Sequence, residues 1–209
     1  KPVVLFQGVT GSGKTEVYIE LIAQAIAQDK QVLYLLPEIS LTPQMVQRLQ
    51  ARFGSEVTVY HSKFSVHERT EVWNNILDKN PNAKIIVGTR SAIFLPYNQL
   101  GLVIVDEEHE LSYKQFDPSP RYHARDSAVV LAGMYQAKVV LGSATPALES
   151  SFNRLSGKYG WVQLGERYGK VAMPEILTID LKSAYKKKKM KGGFSHTLIH
   201  EMEQTLSMG

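Results

Sequence analysis

No cysteine occurs in the 209 residues. Disulfides and thiolate metal sites are therefore excluded within them, and this usage fits a reducing cytoplasm. Long apolar runs are missing as well: none approaches the ~18 residues of a membrane span, so no contact with a membrane is expected. Nor is there a signal-peptide layout, because the chain begins inside a strand-like stretch, Lys1-Pro2-Val3-Val4-Leu5-Phe6. So abrupt a start suggests that something upstream was removed. The six histidines do not cluster. His196 and His200 stand four apart, but no acidic motif of the zinc-protease kind accompanies them, and they are not read as a metal pair.

Excess charge is confined to one place. The net charge is +4, yet Lys182 to Lys191 carries six lysines and no acid, so the remainder is slightly negative. Such a run is either a solvated loop or a phosphate-contacting one. The chain as a whole has ordinary globular composition, 44% hydrophobic and 21% charged, and is long enough for one large α/β domain.

Short β-branched runs alternate with helix-period segments. The strand candidates are Val3–Phe6, Val32–Leu36, Val57–Tyr60, Ile85–Val87, Leu102–Val105, Val139–Leu141 and Ile176–Ile179. Several are apolar throughout, as in parallel strands buried on both faces. Helical spacing lies between them, as in Val17, Leu21, Ile22, Ala25 and Ile26, and again in Val72, Ile76 and Leu77. The alternation predicts an α/β fold, a parallel sheet sandwiched by helices in three αβα layers. From about Gly157 the pattern loosens. Beyond the lysine tract and Gly192-Gly193, Leu198, Ile199, Met202 and Leu206 again have helical spacing.

Gly8-Val9-Thr10-Gly11-Ser12-Gly13-Lys14-Thr15 matches the full P-loop pattern, after a predicted strand and at the start of a predicted helix. Glycines let backbone N–H groups curl around phosphate oxygens, and the helix N-terminus adds partial positive charge. Gly8, Thr10, Gly11, Ser12, Gly13, Lys14 and Thr15 are thus the expected ATP-binding residues. Lys14 would reach the β- and γ-phosphates, and Thr15 would ligate Mg²⁺. A second carboxylate is needed for the metal. Leu102-Val103-Ile104-Val105-Asp106-Glu107-Glu108-His109 supplies it at the carboxyl end of a strand, where ligands of parallel sheets gather. Asp106 would hold Mg²⁺ and Glu107 would orient the attacking water, which makes Lys14, Asp106 and Glu107 the catalytic candidates.

The tetrad Asp106-Glu107-Glu108-His109 resembles the Walker B box of superfamily 2 helicases. Leu36-Pro37-Glu38-Ile39-Ser40-Leu41-Thr42, Gly88-Thr89-Arg90-Ser91 and Gly142-Ser143-Ala144-Thr145-Pro146 fall where motifs Ia, Ib and III of that superfamily stand. With Glu16-Val17-Tyr18, Pro43-Gln44, Tyr113-Lys114-Gln115 and Arg121-Tyr122-His123-Ala124-Arg125-Asp126 added, the likeness narrows to the PriA family of bacterial replication-restart helicases. It is dense over residues 2–150 and weaker beyond. The resemblance implies a RecA-like P-loop NTPase lobe, ATP and Mg²⁺ as cofactors, and 3′→5′ movement on single-stranded and forked DNA. It also implies primosome proteins and single-strand binding protein as partners.

It further implies that His109, Ser143 and Thr145 couple ATP state to DNA grip, although a Ser/Thr turn capping a helix at Pro146 is the plainer alternative. Thr42, Thr89, Arg90 and Ser91 would touch the sugar–phosphate backbone; singly, each could equally be a loop cap. The stretch from Tyr113 to Arg125 mixes aromatics with cations. Tyr113, Lys114, Arg121, Tyr122 and Arg125 are expected to stack on or pair with single-stranded DNA, against the alternative of aromatics buried under a long loop.

Departures from the family pattern are also informative. Glu110 replaces the aspartate that usually follows the histidine, and no glutamine-bearing adenine segment precedes the P-loop. A second RecA-like lobe, with its arginine for the γ-phosphate, and a cysteine-rich zinc module are not among these residues. The expected organisation is a first lobe over 1–181, a basic flexible linker over 182–194, and over 195–209 the start of a segment entering a second lobe. Little hydrolysis is expected of these residues alone, since losing an arginine finger removes ~10³–10⁵ in turnover. A non-catalytic, nucleotide-dependent DNA-binding module is the competing reading. A small-molecule kinase is disfavoured, having no use for Glu107 and His109 in this spacing.

Overall fold

The computed structural model describes residues 1–170 and 175–208. It divides into two compact units, Lys1–Val171 and Ala172–Gly209. The first holds seven strands: β1 (Val3–Gly8), β2 (Gln31–Leu35), β3 (Val57–Tyr60), β4 (Ile85–Gly88), β5 (Leu100–Val105), β6 (Lys138–Ser143) and β7 (Gly160–Leu164). They form one parallel sheet in the order β3-β4-β2-β5-β6-β1-β7. Its helices are α1 (Lys14–Ala27), α2 (Pro43–Phe53), α3 (Val66–Leu77), α4 (Ala124–Tyr135) and α5 (Leu148–Leu155).

Strand alternation divides the core into two apolar layers. Phe6, Val32, Tyr34, Ile85, Val87 and Ile104 turn to one face and meet Tyr18 and Ile22 of α1 and Leu49 of α2. Leu5, Leu33, Leu35, Ile86, Val103, Val105 and Leu141 turn to the other and meet Val72 and Ile76 of α3 and Ala124, Ala128 and Ala132 of α4. The small alanines let α4 approach β5 closely. This three-layer arrangement is the one expected from the apolar runs.

Local chemistry sets the helix starts. Thr42 caps α2 by accepting from the Met45 N–H at 3.3 Å, with Pro43 in the first turn. Ser65 and Glu68 form a reciprocal capping box at α3.

Two expectations fail beyond Gly157. Ile176–Ile179 is not a strand; Ile176 and Leu177 are 83% and 60% exposed and no ladder among the described residues receives them. The strand beside β1 is instead β7, which the sequence reading passed over. It is an edge strand with Trp161 and Val162 half exposed, so it lacks the continuous apolar run of a central strand. The lysine tract is not a plain loop. Asp180 accepts from the Lys182 and Ser183 N–H groups and starts α6 (Leu181–Lys186). Gly192, at φ +60°, then turns β8 (Met190–Lys191) into β9 (Phe194–Ser195). Every lysine of the tract is exposed, so water and salt screen the like charges and the cap and turn signals prevail. α7 (His196–Ser207) follows, capped by Ser195, within the expected helical segment. The first unit ends at Val171, ahead of the expected residue 181. Among the described residues no helix is long and apolar enough to cross a membrane.

One buried polar side chain fixes the lower edge of the sheet. Gln31 donates to the Ala83 carbonyl at 3.2 Å and accepts from the Asn98 and Gln99 N–H groups at 2.8 and 3.2 Å. Gln31→Leu strands those two N–H groups and is expected to lower unfolding free energy by about 2–4 kcal/mol in urea titrations. An unchanged midpoint would refute this account of the clamp.

Candidate functional site

The strand-to-helix turn after β1 is a cradle of backbone N–H groups. Gly11 and Gly13 sit at φ +77° and +87°, a region that side-chain-bearing residues avoid. The Ser12 N–H closes the turn on the Val9 carbonyl at 3.0 Å, and the first N–H groups of α1 face its mouth. Gly8 is glycine for a second reason: a Cβ there would lie 2.7 Å from Ser12 Oγ and 2.8 Å from Lys14 Cγ. Lys14 Nζ donates to the Gly8 carbonyl at 2.8 Å. It is therefore held over the turn by a neutral acceptor, which an anion would displace.

β5 delivers three consecutive acids to three environments. Asp106 is enclosed beneath the cradle. Its carboxylate accepts from the Tyr18 hydroxyl at 3.1 Å and from its neighbour's N–H, that of Glu107, at 3.1 Å; the Tyr34 hydroxyl approaches to 3.5 Å. Burial pushes this carboxyl above the usual range, and the phenol of Tyr18, the Glu107 N–H and the nearby Lys14 ammonium pull only partly against it. Glycine at Gly142 of β6 makes the arrangement feasible, because a Cβ there would collide with the Tyr18 hydroxyl.

Glu107 occupies the left-handed region, φ +46°, where a non-glycine residue is strained by about 1–3 kcal/mol. The bend turns its carboxyl from the strand axis into the same cavity. Burial and the Asp106 charge push that carboxyl up, opposed by Lys14 and His109. The cavity encloses about 610 Å³, and its lining includes Thr10, Gly11, Lys14, Thr15, Arg48, Asp106, Glu107 and Tyr168. Its donor set fits a magnesium-bound polyphosphate: a cradle too tight for any Cβ at Gly8, a buried Ser12 hydroxyl with no partner among the described residues, and desolvated carboxylates. Lys14, Thr15 and Asp106 are the residues that could hold it.

Glu108 turns the other way. It is fully buried and accepts from Arg125 Nη1 at 3.1 Å, Ser150 Oγ at 2.7 Å and the Ala147 N–H at 2.7 Å. One carboxylate thereby ties β5 to the first turns of α4 and α5. His109 returns to the cavity side: Nδ1 lies 2.8 Å from Ser143 Oγ and 3.7 Å from the Glu107 carboxylate, while Nε2 is 3.5 Å from Thr145 Oγ1. Ser143 Oγ also accepts from the Thr145 N–H at 3.0 Å. The structure thus joins Glu107, His109, Ser143 and Thr145 in one polar chain.

The expected DNA-contacting residues divide. Thr42 is exposed but spends its hydroxyl capping α2. Arg90 reaches the Ser112 and Lys114 carbonyls, both at 3.4 Å, and anchors the base of the following loop. Lys114 bridges His123 across that loop, and Tyr122 packs edge-on against Phe94 with ring centroids 5.0 Å apart. Arg121 stands exposed beside the paired root of the loop, and Ser91 is partly exposed.

Three expectations need correction. Thr89 is buried at the end of β4, where its N–H donates to the Tyr60 carbonyl. Tyr113 is buried too, since its hydroxyl lies 2.7 Å from the Asp106 carbonyl and 3.0 Å from that of Leu35, bracing the tips of β5 and β2. Arg125 is buried because Glu108 requires a cation. None of the three lies on the surface open to DNA.

Sequence reasoning passed over Tyr34 and Glu108 and gave Tyr18 no role. A tyrosine in an otherwise apolar central strand was the available signal for Tyr34, because a buried phenol needs a polar partner. No comparable signal marks Glu108, since its direction depends on the bend at Glu107. Arg125→Ala leaves Glu108 buried without its cation and is expected to destabilise the chain by about 3–5 kcal/mol in urea unfolding. Unchanged stability with weakened, salt-dependent DNA binding would instead return Arg125 to the DNA surface.

Comparison with known proteins agrees with this geometry. The DEAD/DEAH box helicase family matches residues 1–152. Replication restart protein PriA of Bacillus subtilis (strain 168) is 44% identical over 207 residues, covering 99% of this chain and 25% of that protein. Its counterpart in Chlamydia trachomatis is 47% identical over 205 residues, covering 98% and 27%. The chain thus spans about a quarter of the length of these relatives. Among solved structures, RecG bound to a three-way DNA junction matches with a TM-score of 0.54 at 21% identity, over 77% of this chain and 20% of that one. The Hef helicase domain of Pyrococcus furiosus matches with 0.55 at 20%, over 80% and 36%. These two show the shared fold. With the match extending over 152 of its 209 residues, the chain belongs to the DEAD/DEAH box helicase family.

Proposed function

We propose that this chain is the ATP-binding first lobe of a 3′→5′ DNA helicase acting in replication restart. The observation that carries the reading is the convergence of the Lys14 cradle with Asp106 and Glu107 in one cavity, continued by His109 to Ser143 and Thr145. In this reading the Gly8–Thr15 turn binds the phosphates of ATP, and Thr15 and Asp106 hold Mg²⁺. The metal, when bound, draws charge from the phosphate oxygens. Glu107 orients the attacking water and draws off its proton, a role suited to a carboxyl whose proton affinity is raised by burial. His109 lies against both Glu107 and Ser143, so a shift of the Ser143–Thr145 turn would move the water-orienting acid.

The relatives named replication restart proteins support a role in replication restart, which we place at stalled or collapsed forks in the cytoplasm. Single-stranded and forked DNA would be the substrates, and primosome proteins and single-strand binding protein the partners. Arg90, Ser91, Lys114, Arg121, Tyr122 and the Thr42 turn are the residues proposed to lie along the DNA. Residues 195–209 would lead into a second lobe, and any zinc would belong to parts of the protein beyond these residues. Among the described residues the one arginine lining the cavity is Arg48, engaged by Glu16. The γ-phosphate would therefore take its arginine from the second lobe.

Nucleotide binding and phosphate release, measured with Mg²⁺ in the presence and absence of single-stranded DNA, test the reading. The 209 residues are expected to bind ATP and to hydrolyse it near background, with DNA-stimulated turnover on joining them to the second lobe. In that longer protein Glu107→Gln should lower turnover by about 10²-fold or more while ATP still binds, whereas Lys14→Ala should lose binding. Equal ATP affinity in wild type and Lys14→Ala would remove the phosphate site. Vigorous DNA-stimulated hydrolysis by the 209 residues would show that the site is complete without a second lobe.

A further inference from the structure

The phosphate cradle has an aromatic neighbour for which the proposed chemistry has no use. Tyr168 follows β7 and lines the cavity that holds Lys14, Thr15 and Asp106. Its N–H donates to the Gly11 carbonyl at 2.9 Å, so its backbone is fixed to the cradle itself. One step earlier the Val9 N–H donates to the Leu164 carbonyl at 3.3 Å, and β7 runs in register beside β1 up to Gly8. The segment that carries Tyr168 is therefore tied to the P-loop at Val9 and at Gly11. The side chain is nonetheless 87% exposed. A large ring held by its backbone and left uncovered at the mouth of a binding cavity is poised to receive a flat partner.

Sheet order says which part of a nucleotide would arrive there. In the sequence β5-β6-β1-β7, Asp106 ends β5 on one side of the cradle and Tyr168 follows β7 on the other. The terminal phosphate belongs on the side of Asp106 and Glu107, where the metal and water would be handled. The remainder of the molecule then leaves the cradle toward β7. Its outermost group is the base, and every base offers a face for stacking.

We propose that Tyr168 is the stacking platform for the base of the nucleotide whose phosphates occupy the Gly8–Thr15 cradle. The proposal rests on the phosphate-site reading above and adds a subsite to it. A ring that stacks has little means of distinguishing one base from another, so its contribution is affinity for nucleotides over bare polyphosphate.

Calorimetric titration of the chain with ADP and with inorganic tripolyphosphate, both with Mg²⁺, tests this and separates the two readings. Tyr168→Ala is expected to weaken ADP about tenfold, with tripolyphosphate unchanged. Tyr168→Phe and Tyr168→Trp should keep wild-type ADP affinity, and thermal unfolding should show all variants folded. Lys14→Ala should lose both ligands. If Tyr168→Ala binds ADP like wild type, or weakens both ligands alike, the platform is refuted and the phosphate site stands. If wild type binds neither ligand, the phosphate site falls and the platform with it.

Discussion

A largely buried carboxylate at the floor of the cavity is the constraint around which the carboxyl edge of this sheet is organised. In the proposed reading Asp106 has to stay where a metal can reach it, yet burial opposes its charge. The surrounding sequence answers that conflict piece by piece. Tyr18 of α1 and Tyr34 of β2 direct hydroxyls to its oxygens, and the Glu107 N–H adds a third donor. Those phenols are themselves buried and unionised, so they donate without adding negative charge. Gly142 gives up its side chain to leave room for Tyr18. Tyr113 braces the strand tips from the opposite face, so the Asp106 backbone cannot drift toward solvent. Residues from α1, β2, β5 and β6 thus have their identities set by one charge. Nothing comparable surrounds the lysine tract, where the charges are left in water.

The three acids in a row show how strand geometry assigns roles that residue type cannot. Asp106 and Glu107 face the cavity, the second because its backbone bends into the left-handed region. That bend returns Glu108 to the interior, where Arg125, Ser150 and the Ala147 N–H take both of its oxygens. A buried ion pair of this kind adds little net stability over an apolar pair, but it admits few alternative partners. Its consequence is geometric: the starts of α4 and α5 are registered against the strand that carries the reacting groups. The loop from Lys114 to His123 leads directly into α4, so any displacement of its root acts on Arg125 first.

How much of this could be read in the sequence follows from the range of the interactions involved. The phosphate cradle was legible because eight adjacent residues form it and the turn dictates glycines at stated places. The five inner strands were legible because burial on both faces leaves continuous apolar runs, and the edge strand β3 because Val57, Thr58, Val59 and Tyr60 are all β-branched or aromatic. β7 was not, since an edge strand with Trp161 and Val162 half exposed carries no such run, while Ile176–Ile179 is mostly apolar and pairs with no strand among the described residues. Tyr113 and Arg125 were misassigned for a related reason. Composition showed aromatics beside cations, which a DNA-facing loop and a buried brace share. The discriminating fact was the short helical turn over Leu111–Tyr113, which sends Tyr113 inward. For Arg125 it was a buried carboxylate seventeen residues earlier in the chain. Neither partner is local, and no periodicity encodes them.

The contrast between Arg90 and Arg125 carries the synthesis one step further. Both are arginines near the loop from Lys114 to His123, and neither is simply presented to solvent. Arg125 is neutralised by a full charge, and breaking that contact would leave an ion in a low-dielectric interior. Arg90 meets only two carbonyls at long distance, and it stays partly exposed. Such contacts are weak enough for a phosphate to replace, because a charge-assisted bond to an anion is roughly twice as strong as one to a neutral acceptor. Releasing the Ser112 and Lys114 carbonyls would free the root of the loop whose far end is pinned by Arg125. In the proposed reading the two arginines divide the work: one fixes the frame, and the other would exchange partners when a strand is bound.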